Sequence, residues 1–146
     1  MMIRRKTLMR AIGRARHVSQ LYMKEIASSA GIPESYRTVL MFLYRHPGAG
    51  QRNIAEFAGV TTSAVNQTVK SMLAEGYLQK ETDECDKRNT KLYLTEKGEE
   101  TAAKLYGKLE AADEAITALL GQEKEAELIE LLEKVTDYIR RDLTSC

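Results

Sequence analysis

The sequence predicts a mainly α-helical chain carrying one small β-hairpin, an α+β fold. Three observations lead there. Apolar residues recur at three- and four-residue spacing over most of the 146 residues, the period of amphipathic helices. Only two short segments, 77–81 and 91–94, suit strands. Between them runs Thr82 to Thr90, too hydrophilic to pack. The length fits one domain, or a small domain with an oligomerisation element, and suffices to bury a core without staples. Nine glycines and two prolines are too few for a low-complexity chain. No apolar run approaches the ~20 residues that span a bilayer. No apolar stretch follows the basic start, Met1 to Lys6, so no secretory signal is expected. These features predict a cytoplasmic protein with no membrane partner.

Residues 6–29 read as a helix, with Leu8, Ile12, Ala15, Tyr22 and Ile26 on or near one stripe and arginines between them. Gly31-Ile32-Pro33 breaks it. Glu34 to Arg45 is a second helix, with Tyr36, Val39, Leu40 and Leu43 at helical spacing, and His46-Pro47-Gly48-Ala49-Gly50 reads as a turn. Two short helices, 51–58 and 62–75, flank Gly59-Val60-Thr61. Beyond the hairpin, Thr95 opens a long helix to about Leu120, which Gly121 ends. A final helix over 123–143 carries Leu128, Leu131, Leu132, Val135, Tyr138, Ile139 and Leu143 as an unbroken apolar stripe.

Residues 51–73 have the spacing of a helix-turn-helix. That motif needs a small residue where two helices cross, a residue tolerating φ > 0 at the turn, and an apolar residue packing back from the second helix. Ala55, Gly59 and Val65 stand at those places. Ile54, Ala58 and Val60 fill core-facing positions, and Thr61 is placed to cap the second helix. In that helix Val65, Val69, Met72 and Leu73 are expected inward, and Thr62, Ser63, Asn66, Gln67 and Lys70 outward. Every outward residue can hydrogen-bond and none is acidic. Amides can pair with adenine edges, hydroxyls with bases or phosphates, and Lys70 with phosphate or guanine. An ordinary solvated face would usually mix in acids, which phosphate repels. The outer face therefore reads as a surface for double-stranded DNA. Gly76 is placed to end the helix, after which Tyr77 and Leu78 start the hairpin. A helix-turn-helix followed by a β-hairpin is a winged helix. The hairpin tip, with Lys87, Arg88 and Lys91, can follow a DNA backbone or enter a minor groove.

From Gln51 to Gly98 the sequence resembles the MarR family of bacterial and archaeal transcriptional regulators, and the order and length of the helices extend the likeness over the whole chain. Its most specific part is Asp86-Lys87-Arg88 followed by Leu92-Tyr93-Leu94-Thr95-Glu96-Lys97-Gly98. The family shows Asp-x-Arg in the wing, then Leu-x-Leu-Thr-x-x-Gly leading into the next helix. The resemblance implies that Arg88 enters the minor groove and that Asp86 holds its guanidinium, a pairing that suits a planar fork. Lys87 stands where the family often has arginine. The resemblance also implies a homodimer built from helices at both chain ends. Residues 34–94 would then be the winged helix-turn-helix unit of a single 1–146 chain, with 1–30 and 96–146 as the dimerisation region. The apolar stripes agree with this, although the first and last helices could instead cover each other within one chain.

The net charge of +1 hides an uneven distribution. Residues 1–24 carry seven positive charges and no acid, and residues 95–146 carry seven against thirteen acids. Each run suits a solvated helix face, and the basic one also suits proximity to a polyanion. Cys85 and Cys146 form no disulfide framework and no metal spacing, and His17 and His46 are isolated, so no metal or cofactor is expected. Cys85 lies beside Asp83, Glu84 and Asp86, which discourage the thiolate that redox sensing needs. Tyr22, Tyr36 and Tyr44 suit core packing. They also suit a crevice for a small aromatic anion, which the family resemblance implies as effector. No nucleophile–base pair or phosphate-cradling loop points to an enzyme. The expected function is a ligand-responsive repressor that binds a pseudo-palindromic operator as a homodimer. The alternatives are a winged-helix protein-interaction module without DNA binding and a thiol-based regulator.

Overall fold

The computed structural model describes residues 7–86 and 89–145. They form two compact units, one up to Lys108 and one from Leu109. The elements run α1 (Leu8–Ser29), α2 (Glu34–Arg45), α3 (Gln51–Ala58), α4 (Thr62–Ala74), β1 (Leu78–Thr82), β2 (Thr90–Leu94), α5 (Glu96–Leu120) and α6 (Gln122–Ser145). The predicted fold class is what the chain adopts: mainly helical, with one two-stranded antiparallel hairpin, a winged helix. In the hairpin Leu78 lies opposite Leu94 and Glu81 opposite Lys91.

The core of the first unit gathers one face from each of its elements. Ile26 and Ala27 come from the end of α1, Val39, Leu40 and Leu43 from α2, and Ile54 and Ala55 from α3. Val65, Val69 and Met72 come from α4, Leu78, Leu92 and Leu94 from the hairpin, and Ala102 and Leu105 from α5. Burying each large side chain of this set is worth roughly 1.5–3 kcal/mol. Three of the sequence expectations for the interior differ. Val60, in the turn between α3 and α4, is 50% exposed, and Ala58 and Leu73 are only half-buried.

Segment 46–50 is more than a turn. Gly48 N–H donates to Leu92 O at 2.8 Å, and Leu92 N–H donates to Ala49 O at 3.1 Å, so this stretch flanks β2 as a short third rung. Gly48 has φ +85°, and a Cβ there would approach the Tyr93 hydroxyl to 3.1 Å. The rung ties α2 and the start of α3 to the wing.

The Leu-Thr-x-x-Gly sequence acts at the junction of wing and α5. Thr95 Oγ1 accepts from Gly98 N–H at 3.2 Å and donates to Gly76 O at 2.5 Å. Thr95 N–H donates to Tyr77 O at 3.0 Å. Gly98 is buried against that same carbonyl, and a Cβ on it would lie 2.2 Å from Tyr77 O. Lys97 Nζ donates to Glu75 O at 2.8 Å and lies 4.2 Å from the Tyr77 ring centroid. One tetrapeptide thus clamps the end of α4, the start of β1 and the start of α5.

In the second unit α6 has no buried residue. Glu125 accepts from Thr117 Oγ1 at 2.7–2.8 Å, and Glu125 N–H donates to Gly121 O at 3.0 Å, which fixes the turn between the helices. Leu128, Leu131, Leu132, Tyr138 and Leu143 are all exposed, as are Leu8, Val18, Leu21 and Tyr22 on α1.

Candidate nucleic-acid interface

The α3–α4 pair is built by backbone chemistry that its sequence specifies. Gly59 ends α3 in the left-handed region at φ +66°, where Val60 N–H donates to Ala55 O at 3.2 Å. Ala55 is buried, so α4 can pass close to α3. Thr61 Oγ1 accepts from Ala64 N–H at 3.1 Å and caps α4. At the other end Gly76 N–H donates to Leu73 O and Tyr77 N–H to Met72 O, the paired bonds of a glycine-terminated helix. Tyr36 supports this end from α2. It is buried, its hydroxyl donates to Glu75 Oε1 at 2.9 Å, and its ring meets Tyr77 edge-on at 5.7 Å. Burial first, and then the Glu75 hydrogen bond, hold the Tyr36 phenol above the usual tyrosine range.

The inward face of α4 leaves an outer face of defined composition. Thr62, Ser63, Gln67 and Lys70 are exposed, and Asn66 is half-buried. Ser63, Gln67 and Lys70 follow one helical row and Thr62 and Asn66 the next. No acid interrupts the face from Thr61 to Ala74. Gln51, at the start of α3, donates from Nε2 to Asn66 Oδ1 at 3.4 Å. Beside this pair a crevice of about 570 Å³ opens between α3, α4 and the wing, lined by Gly50, Gln51, Arg52, Thr62, Asn89 and Thr90 among others. Gln51 and Arg52 escaped the sequence reading. Gln51 is fifteen residues from its partner, and no local period connects the two.

In the wing, Lys91 is exposed on β2. Asp86 is also exposed, and its carbonyl accepts from Asn89 N–H at 3.0 Å. Lys87 and Arg88 lie outside the described residues. Cys85 is exposed, with its N–H donated to Asp83 Oδ1 at 2.9 Å. The three candidate ligand tyrosines have different settings. Tyr36 is committed to the core and to Glu75. Tyr44, also on α2, is 45% exposed and packs on Tyr106 at 5.1 Å. Tyr22 is 51% exposed on α1. No group of His, Cys, Asp and Glu among the described residues could hold a metal ion, and no helix among them is long and apolar enough to cross a membrane.

A capped helix-turn-helix presenting a polar, acid-free helix beside a hairpin wing defines the winged-helix class of transcriptional regulators. A family model described as the MarR family matches residues 30–89. The chain is 33% identical over 104 residues to YybA of Bacillus subtilis, an uncharacterized HTH-type transcriptional regulator, covering 70% of this chain and 69% of that protein. It is 27% identical over 115 residues to the HTH-type transcriptional regulator BilQ of Clostridium symbiosum, covering 79% and 80%. Among solved structures, the Mycobacterium tuberculosis MarR-family protein Rv2887 in complex with salicylic acid has a TM-score of 0.70 at 23% identity, covering 90% of this chain and 98% of that one. A mutant of S. aureus MepR bound to an oligodeoxyribonucleotide has a TM-score of 0.60 at 17% identity, covering 92% and 99%. The chain belongs to the MarR family of DNA-binding transcriptional regulators.

Proposed function

We propose that the chain is a homodimeric repressor that reads a pseudo-palindromic operator with two copies of α4 and two wings. The exposed, acid-free outer face of α4 carries this reading. Thr62, Ser63, Asn66, Gln67 and Lys70 are assigned to the major groove, and Asp86, Lys87, Arg88 and Lys91 to the wing contact, with Asp86 orienting Arg88. Residues 1–30 and 96–146 are assigned to dimerisation, supported by the exposed apolar side chains on α1 and α6. The structural neighbour bound to an oligodeoxyribonucleotide supports the choice of DNA as partner. A small aromatic anion is proposed as effector, supported by the neighbour bound to salicylic acid, with Tyr22, Tyr36 and Tyr44 as candidate contacts, of which Tyr22 and Tyr44 are exposed. Such an effector releases DNA only if it binds the two dimer spacings with different affinity.

Selection of bound DNA from a random library, followed by transcription from a promoter carrying the selected site, tests the proposal. The protein should select two half-sites of fixed spacing and lower transcription. Gln67→Ala should cost roughly 1–3 kcal/mol on the selected site and little on random DNA. Arg88→Ala should weaken both and lower the slope of log K against log salt by about one per released charge. Asp86→Ala separates charge from geometry: weaker binding supports the orienting role, and tighter binding refutes it. DNA binding that is absent or independent of salt leaves the protein-interaction reading in its place.

A further inference from the structure

We infer that Gln51 is a positioning residue that sets which end of the Asn66 amide is offered to DNA. This builds on the proposed placement of α4 in the major groove. Asn66 differs from its neighbours on the outer face. Thr62, Ser63, Gln67 and Lys70 are exposed, whereas Asn66 is half-buried, with Oδ1 turned back to accept from Gln51 Nε2 at 3.4 Å. The backbone of Gln51 is fixed by the start of α3. Gln51 is the first residue of α3, and Gly50 before it donates its N–H to Asn53 Oδ1 at 3.2 Å and accepts from Ile54 N–H at 3.3 Å.

A primary amide has a donor end and an acceptor end. An unrestrained asparagine rotates to suit whichever base it meets. With Oδ1 directed at Gln51, the group directed away from α3 is the Nδ2 amine. A donor in the major groove reads acceptors: N7 of either purine, guanine O6 or thymine O4. Cytosine presents only its N4 amine there, which opposes another donor. With Gln51 as donor, as in this arrangement, Asn66 faces the groove as a donor, and the base whose edge it meets is selected against cytosine without Gln51 itself touching DNA.

The test is base preference from library selection with the full-length chain, for the parent, Gln51→Ala, Gln51→Glu, Asn66→Ala and the Gln51→Glu/Asn66→Ala double variant. Melting temperatures identify any variant that has lost its fold. The parent should disfavour cytosine at one position of each half-site. Gln51→Ala frees the amide and should reduce that discrimination about three- to tenfold, the range of one neutral hydrogen bond. A carboxylate at position 51 can only accept, so Gln51→Glu turns the amine inward and the oxygen outward, and cytosine becomes accepted at the same position. The added charge should weaken all sites alike, which separates it from the change in preference. On the Asn66→Ala background, Gln51→Glu should leave that position unchanged. If Asn66→Ala alters one position while both Gln51 variants keep the parent's preference, the positioning role is overturned and the α4 reading stands. If Asn66→Ala alters no position, Asn66 is not a reader and the assignment fails. A parent that selects no sequence overturns the assignment together with the α4 reading.

Discussion

The two units of the chain carry the same kind of apolar periodicity with opposite outcomes. Among the described residues, every buried hydrophobic lies at or before Leu105, and Leu40, Leu43, Ile54 and Leu105 are each 1% exposed or less. On α6, Leu128, Leu131 and Leu132 keep 41–50% of their surface and Leu143 keeps 72%. An amphipathic stripe states that a face needs cover; it does not state what covers it. In the winged unit the cover comes from five helices and a hairpin of the same chain. The α6 stripe is an apolar surface of the kind that marks association, which is why the homodimer is the natural proposal.

The largest expected effect breaks this contrast directly. Leu128→Asp with Leu132→Asp places two charges one helical turn apart on the α6 stripe. In an isolated chain both carboxylates would be solvated, but in a dimer they would be buried without partners. Sedimentation should show a monomer whose winged unit keeps its circular dichroism. Losing the link between two half-site contacts should cut specific DNA affinity by about 10²–10⁴-fold. A double variant that sediments and binds like the parent would end the assignment of α6 to the dimer.

A smaller effect belongs to the winged unit. Gly98→Ala puts a methyl 2.2 Å from Tyr77 O, a backbone atom that cannot rotate away. The start of α5 must shift from β1, and overpacking of this kind costs about 1–3 kcal/mol. Urea denaturation should show the loss, whereas Gly107→Ala, where nothing lies within 4 Å of the added methyl, should be neutral or stabilising. Equal stability of the two variants would mean that the Thr95–Gly98 clamp is not a close contact.

The contrast also explains what the sequence could reveal. Helix limits were legible wherever a local signal marked them. Thr61 and Gly59 bound the α3–α4 turn, Gly76 ends α4, and Gly121 separates α5 from α6. The outer face of α4 was legible for the same reason, since a helix sorts its residues by spacing alone. Contacts between distant segments were not. Gly48 and Ala49 read as a turn because their hydrogen-bonding partner, Leu92, belongs to the wing. The half-exposure of Val60 depends on the path of the turn rather than on residue type. The Gln51–Asn66 bond needs the helices already crossed before either amide can find the other.

The smallest expected effect at neutral pH lies at Tyr36, which joins α2 to the end of α4. Tyr36→Phe removes the hydroxyl that donates to Glu75. Because Glu75 is exposed, water can replace the lost donor, and the cost should be about 0.5–1.5 kcal/mol. The pH dependence is more informative. Burial and the Glu75 bond hold the folded-state phenol above its ordinary range. In the unfolded chain it titrates near 10, as a free tyrosine does. Below about pH 10 the phenol is protonated in both states and its contribution to stability is fully present. As pH rises past that point the unfolded state gives up the proton first, so it binds fewer protons than the folded state and stability falls. The fall continues until pH passes the raised folded-state value. Tyr36→Phe has no such proton, so its alkaline decline should be shallower and the two stability curves should converge above about pH 10. Urea midpoints taken from about pH 7 to pH 11, a range that brackets the free tyrosine value, measure this directly. Curves that stay parallel across the range would show that the Tyr36 hydroxyl is not held protonated by its burial and Glu75, and would leave the Tyr77 ring contact as what Tyr36 contributes to this end of α4.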